Sequence, residues 1–259
     1  MIHKSIIAAA ALATSALVPA SAIAATTFNF NSGGTNSDAT PLDIYGNVRT
    51  FTGSDGTKVE ASAYSLETTT AWSWATWSNV TTQTLTNSYL GQYTGNGAHQ
   101  YGLGVVNSGN DNNHAIDNSG WTDFIVLQFD KMVSVSELGL YGFGDTDLTW
   151  AVGTTATPFS GTLSFANYAA LNNAFGTFNS SDGSNSSSYA TRSVNGTMGN
   201  LFLVAASTSG SNDAFKLSSL KANVAAVPEP ATWGMMMIGL GLAGAMMRRS
   251  KANTAVSFA

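Results

Sequence analysis

Two groups of side chains in the middle of the chain have types and spacings that suit ligand binding. The first is rich in oxygen, and its candidate metal ligands are Asp111, Asp117, Asn118, Asp145 and Asp147. Carboxylate and amide oxygens are the donors that Ca²⁺ accepts, roughly six to eight at a time. The pattern lacks a complete helix-loop-helix calcium sequence. The same residues could instead form Asx turns at strand ends, so calcium binding and turn formation both stay open.

The second group is aromatic and consists of Trp72, Trp74 and Trp77. Side chains two apart in a strand share a face, so Trp72 and Trp74 should lie together and Trp77 on the opposite face. An exposed pair of this kind could stack on the apolar faces of sugar rings. The alternative is that Trp72 and Trp74 fill the core.

Composition excludes several other kinds of site. The 259 residues carry 15 acidic and 10 basic side chains and no cysteine. A net charge of −5 argues against nucleic-acid binding, which needs a dense cationic surface. Without cysteine there is no disulfide, thiol nucleophile or thiolate metal site. Carboxylate pairs could serve glycoside cleavage, yet an acidic chain always contains such pairs, so we expect no enzyme and keep a secreted glycan-degrading enzyme as the alternative.

The amino-terminal residues have the order of a secretory signal. Lys4 gives a positive start, residues 5–18 form an apolar run, and Ala22-Ile23-Ala24 is a small-x-small cleavage pattern. We predict a signal peptide over residues 1–24 that passes the secretion translocon and is cut by signal peptidase after Ala24, with Ala22 as the competing position.

A second uncharged apolar block occupies residues 231–247 and is followed by Arg248, Arg249 and Lys251. As a helix it would span about 25 Å, slightly less than the usual hydrocarbon thickness of about 30 Å. Length alone favours a core helix. The absence of a polar face, Trp233 at one boundary and the basic cluster at the other favour a transmembrane helix over 231–251 with its basic end in the cytoplasm.

Immediately before this block stands Pro228-Glu229-Pro230. Prolines keep this stretch extended, which suits it to a protease. The order Pro-Glu-Pro, Trp233, apolar helix and Arg248-Arg249 resembles the PEP-CTERM sorting signal, in the subtype with Trp after the second proline. The resemblance implies recognition by an exosortase of a Gram-negative bacterium, transient anchoring in the inner membrane, removal of the tail and delivery to the cell surface. A plain proline-containing stalk is the alternative.

The residues between the two ends favour strands. Period-two or continuous apolar patterns occur at 58–64, 123–129, 133–140, 201–205 and 214–222. We predict a helix only near 166–174 and an exposed loop at 179–188. The short strands and Gly-, Asn- and Ser-rich turns predict an all-β fold, a single two-sheet β-sandwich of jelly-roll kind.

The predicted organisation is a signal peptide at 1–24, the β-sandwich body at 25–224, a linker at 225–230, the transmembrane helix with its basic stop at 231–251 and a tail at 252–259. From Ala25 to Val227 the chain has 6 basic and 14 acidic residues, a net charge of 6 − 14 = −8. This acidity favours solubility and cation binding.

A middle segment carries a second resemblance. Its elements are Tyr101-Gly-Leu-Gly-Val105, the pair Asp117-Asn118, the apolar run 123–129 and Asp145-Thr-Asp147. In this order they are similar to the bodies of exosortase-dependent surface proteins. We therefore expect a surface or extracellular-matrix protein, as found in biofilms, with a structural, adhesive or polysaccharide-associated role. A permanently membrane-anchored carbohydrate-binding protein is a further alternative.

Overall fold

The computed structural model of the protein describes residues 24–32, 35–36, 48–94, 101–107, 114–159, 165–210, 212–225 and 230–252. Residues 23–225 form one compact unit, and the carboxyl-terminal helix belongs to another. The predicted signal helix and most of the Pro-Glu-Pro sequence lie outside the described residues.

The described part of the first unit consists mainly of strands. They are β1 (Ala24–Asn29), β2 (Thr35–Asn36), β3 (Val48–Thr52), β4 (Lys58–Ser73), β5 (Ser78–Asn87), β6 (Tyr89–Thr94), β7 (Tyr101–Val106), β8 (Ile116–Asp117), β9 (Thr122–Gly142), β10 (Leu148–Gly153), β11 (Phe175–Ser181), β12 (Tyr189–Ser193), β13 (Gly199–Ala206) and β14 (Ala214–Val224). Helix α1 (Tyr168–Ala174) precedes β11. The all-β prediction is confirmed.

The strands form a single antiparallel sheet because the long strand β9 takes part in two sets of pairs. Its first half pairs with β4 and β13, and its second half pairs with β12 and β14. Strand β10 extends the first set beyond β13, and β1 extends the second beyond β14. The two layers of the predicted sandwich are therefore continuous through β9.

The main core combines side chains from both layers. Ile125, Leu127 and Phe129 from the first half of β9 belong to the same buried cluster as Leu217 and Leu220 of β14. A second cluster covers the other face of the first layer, where Phe124 and Val126 meet Leu171 of α1. Because both faces of this half of β9 are covered, its residues 123–129 are apolar almost without interruption.

Backbone conformation explains why position 102, in the motif that resembles exosortase-dependent surface proteins, is a glycine. Gly102 lies in β7 with φ +121°, a conformation that side chains other than glycine rarely adopt. A Cβ atom there would collide with the carbonyl oxygen of Leu217 in β14. The glycine therefore allows β7 to approach β14 closely.

All five predicted strand segments lie inside observed strands, with 123–129 and 133–140 both in β9, and the helix near 166–174 is confirmed as α1. The side chain of Asn167 caps α1 by accepting a hydrogen bond from the Ala170 amide at 2.9 Å. The predicted loop at 179–188 is partly wrong. Its first three residues complete β11, where Asn179 pairs with Trp150 of β10, because a neighbouring strand supplies hydrogen bonds that the local composition does not reveal.

The carboxyl-terminal unit contains helix α2 (Pro230–Ala252). Proline is tolerated in the first turn of a helix, where its missing N–H is not needed, so Pro230 begins α2. Four consecutive apolar side chains from Met235 to Ile238 are each 59–71% exposed, so apolar surface surrounds the helix. A helix at this position is confirmed. Within the described ranges no helix is both long and apolar enough to cross a membrane, and the transmembrane prediction is not confirmed.

Candidate functional site

The tryptophans lie at the end of a hairpin that leaves the sheet. Strand β4 pairs with β9 only as far as Leu66, which lies opposite Thr122, the first residue of β9. From residue 67 to Ser73 it pairs, among the described strands, with β5 alone. At about 3.3 Å per residue, these seven residues carry the hairpin about 23 Å beyond its last contact with β9.

The three indole rings form one exposed cluster, which we call the tryptophan tip: Trp72, Trp74 and Trp77. Their exposed fractions are 51%, 73% and 71%. Trp74 packs edge-to-face against both of the others, with ring centroids 6.3 Å from Trp72 and 5.7 Å from Trp77. This spacing is typical of attractive aromatic pairs.

The tip corrects two expectations drawn from strand periodicity. The alternative that Trp72 and Trp74 fill the core is wrong, because these side chains are 51% and 73% exposed. Trp77 does not lie on the face opposite Trp74, because the strand ends at Ser73 and a turn follows. Trp77 has a left-handed backbone, with φ 51°, so the alternation of a strand no longer governs its direction.

A second site lies where the turn after β9 meets the residues that precede β14. Carboxylate oxygens of Asp145, Asp147 and Asp213 lie within 4.8 Å of one another. The Asp145 amide donates to the Asn212 carbonyl oxygen at 3.0 Å, and the Ala214 amide donates to the Asp145 carbonyl oxygen at 2.8 Å. These backbone bonds place the start of β14 beside the turn that follows β9.

The three carboxylates of this cluster repel one another electrostatically when they are charged. Burial first, and then the charges of Asp147 and Asp145, raise the pKa of Asp213 to about 6. The amide of Asn118 opposes this shift by donating to the Asp213 carboxylate at 2.6 Å. Asp213 is 2% exposed, so solvent does little to separate the charges. Oxygen ligands this close are chemically suited to a hard cation such as Ca²⁺.

The structure brings together only some of the predicted metal ligands. Asp145, Asp147 and the hydrogen-bonding Asn118 meet at the cluster. Asp117 is buried, and its carboxylate accepts from the Ser119 amide at 3.0 Å, the Asx turn that was the alternative expectation. Asp111 lies outside the described residues. Calcium binding stays a prediction.

Sequence reasoning missed Asp213 as a ligand. It immediately precedes β14 in the chain. Its carboxylate joins the cluster through the isolated bridge between Asp145 and Asp213. Its position directly before the predicted strand 214–222, like that of Asp147 directly before β10, was the available signal.

The residues of the predicted sorting signal and cleavage sites are only partly described. Trp233 of α2 is 60% exposed and Arg248 is also exposed, whereas Pro228 and Glu229 lie outside the described residues, as does Ala22. Arg249 belongs to the last turns of α2. Ala24 is the first residue of β1 and pairs with Val224, so cleavage after it would shorten β1 by one residue.

Comparison with known families decides the nature of the carboxyl-terminal segment. The family described as the PEP-CTERM protein-sorting motif matches residues 226–250. The chain carries a PEP-CTERM sorting motif. The match includes Pro228-Glu229-Pro230, Trp233 and Arg248-Arg249, the residues on which the resemblance rested. No curated protein matches the chain.

The PEP-CTERM motif indicates an exported surface protein whose sorting depends on exosortase. It also indicates membrane-associated sorting to the cell surface. The assignment to the subtype with Trp after Pro-Glu-Pro stays a prediction.

Proposed function

We propose that the body of this PEP-CTERM protein binds neutral extracellular polysaccharide through the tryptophan tip, and that it has a structural or adhesive role in the matrix rather than an enzymatic one. The observation that carries the proposal is the exposure of three clustered tryptophans at the end of a projecting hairpin. Contiguous exposed aromatic surface on a soluble body marks an interaction site.

The surroundings of the tip favour a neutral, hydroxyl-rich partner. Indole rings offer large apolar faces, which match the apolar faces of pyranose rings. No residue from Thr68 to Asn87 is charged, and many are threonines or serines that can donate and accept hydrogen bonds. An anionic surface would also meet the net charge of −8 that residues 25–227 carry.

Retention on polysaccharide tests this proposal. The mature protein should remain on cell-free matrix polysaccharide of the producing cells during washing, and the triple variant W72A/W74A/W77A should be lost at least about tenfold faster. The three side chains are exposed, so the variant should melt like the wild type. Tyr89, 53% exposed on β6, provides the control Y89A, which should be retained normally.

Two results would contradict the proposal. One is equal retention of the triple variant and the wild type. The other is binding of the wild type, but not of the triple variant, to phospholipid vesicles without polysaccharide, since tryptophans also insert at membrane interfaces. Release of reducing sugars from the same polysaccharide by purified wild type would support the glycan-degrading alternative.

We also propose the processing steps that release this body. Signal peptidase would cut after Ala24, and exosortase would cut near Pro228–Pro230 while the precursor is held at the inner membrane. The mature chain would then comprise the body at 25–224 and part of the linker. Intact mass spectrometry of the surface fraction tests both cuts, and a mass that still includes residues 233–259 would indicate the permanently anchored alternative.

A further inference from the structure

A polar groove crosses the outer face of the second layer. Its strands differ from β4 and β5, which carry the tryptophan tip. It has a volume of about 310 Å³ and is lined by β1, β14, β9 and β12. Its lining side chains carry hydroxyl, amide or charged groups, and those used below are Thr27, Asn29, Glu137, Tyr189, Ser219 and Lys221.

Strand register places these groups in rows. Thr191 of β12 lies opposite Gly139 of β9, which lies opposite Ser219 of β14, which lies opposite Asn29 of β1. The next row contains the pairs Glu137–Lys221 and Lys221–Thr27. Thr27 and Asn29 alternate with the buried Thr26 and Phe28, so the exposed residues of β1 form one rim of the groove.

A glycine in the middle of the first row makes room for an aromatic ring. A Cβ atom on Gly139 would lie 2.5 Å from the Tyr189 hydroxyl oxygen and 2.8 Å from its ring carbon Cε2, and it would collide with Ser219 Oγ. The Tyr189 side chain therefore covers Gly139, and its hydroxyl oxygen lies 3.3 Å from Ser219 Oγ. The groove thus combines an aromatic ring with hydroxyl and amide groups.

The charges in the groove neutralise each other. Lys221 Nζ lies 2.8 Å from Glu137 Oε1, and this hydrogen-bonded pair holds the pKa of Lys221 above its ordinary value. This ion pair adds no net charge to the groove that would select an ion. Its remaining donors and acceptors are uncharged, which favours a ligand with many hydroxyl groups.

We propose that this groove is a second carbohydrate site, which binds a neutral saccharide segment through the Tyr189 ring and the polar rim of β1. The inference rests on the proposed function only for the class of ligand, since no residue is shared with the tryptophan tip. A short segment fits a groove of about 310 Å³, whereas the tip offers an open surface. The groove therefore recognises oligosaccharides that are too short to be retained by the tip.

Calorimetric titration of the mature protein tests the groove. The probes are hexasaccharides of glucose in its α- and β-1,4-linked forms, of mannose, of galactose and of N-acetylglucosamine, with hexagalacturonate as the acidic comparison. At least one neutral hexasaccharide should bind and hexagalacturonate should not. Y189A should weaken that binding at least about tenfold, and Y189F only about twofold to threefold, because the ring remains.

Control variants distinguish saccharide binding in the groove from binding at the tryptophan tip, and they distinguish a loss of binding from a loss of folding. Y89A and W72A/W74A/W77A should bind the hexasaccharide like the wild type, even where the triple variant no longer stays on matrix polysaccharide. T27A changes an exposed rim residue and should weaken binding about threefold without altering the melting temperature, so it tests the groove even if Y189A fails to fold. Absence of binding by every probe, or unchanged binding by Y189A and T27A, would overturn the proposal; loss of binding only in the triple variant would assign the ligand to the tip.

Discussion

The two halves of β4 have contrasting environments although they belong to one continuous strand. From Val59 to Leu66 the strand pairs with β9 on one side and, for most of its length, with β3 or β5 on the other, and its side chains enter both cores. From residue 67 to Ser73 its only neighbour among the described strands is β5, and most of its side chains are exposed. The number of neighbouring strands, rather than the pattern of the strand itself, separates the scaffold from the candidate binding surface.

This contrast explains how a protein can expose three tryptophans without losing stability. A two-stranded ribbon in water is marginal by itself, so the outer hairpin depends on the inner half for its position. Its own side chains add little to the core. Substitutions at the tip should therefore change binding, and substitutions in the inner half should change folding.

The largest expected effect comes from an aromatic residue of the inner half. Tyr64 is fully buried and stacks on Phe124, with ring centroids 5.4 Å apart. By analogy with aromatic core truncations, Y64A should lower the free energy of unfolding by about 3–5 kcal/mol. The matched change W72A, eight residues further along the same strand, should lower it by about 0.5 kcal/mol or less. Urea denaturation measures both, and comparable losses would contradict the division of β4.

Calcium should stabilise the turns beside the inner sheet and leave the outer hairpin unchanged. If Asp145, Asp147 and Asp213 bind Ca²⁺, a concentration 100 times the dissociation constant should add about 2.7 kcal/mol to the free energy of unfolding. Thermal melts with Ca²⁺ or with a chelator measure this. D145N/D147N should abolish the difference, and W72A should preserve it. A wild-type melting temperature that does not respond to Ca²⁺ would remove the calcium prediction.

Without calcium, the same carboxylates should make stability depend on pH. The pKa of Asp213 is raised to about 6 from an unfolded value near 3.8, so the folded state binds the proton more tightly. Its contribution is favourable at low pH and is lost as pH rises from about 4 through 6. The loss across this range is about 3 kcal/mol.

The variant D213N tests this dependence in chelator. It stays neutral and can still accept from Asn118, so it should be more stable than the wild type at pH 7.5 and should show a smaller difference in melting temperature between pH 5 and pH 7.5. D182N, which changes an exposed aspartate outside this cluster, serves as the control and should retain the wild-type profile. An identical profile for D213N and the wild type would contradict the assignment.

The smallest effect is expected within the hairpin itself. Thr70 Oγ1 and Thr81 Oγ1 form an exposed cross-strand hydrogen bond of 3.1 Å. T70A/T81A should cost about 0.2–1 kcal/mol of local stability. Hydrogen exchange should show faster opening of amides in 67–87 and unchanged exchange in β9. Faster exchange in both regions would mean that the hairpin and the sheet open together.

Local patterns were sufficient for the segments that form β4, β9, β13 and β14 and for the sorting motif. The residues 123–129 predict a buried strand because seven residues with almost no polar interruption can only be covered on both faces. The sorting motif was recognisable because the order of its parts, Pro-Glu-Pro, an apolar helix and Arg248-Arg249, lies within one continuous segment. Neither inference requires knowledge of distant contacts.

Distant contacts decided the candidate sites. Asp213 joins Asp145 and Asp147 only because β14 pairs with the second half of β9, and Tyr189 reaches Ser219 only because β12 and β14 lie on either side of the same strand. The period of a strand states which residues share a face, but not whether a second layer covers that face. The sequence therefore left open whether Trp72 and Trp74 are buried or exposed. They are exposed because β9 begins at Thr122, opposite Leu66, and does not reach the part of β4 that carries them.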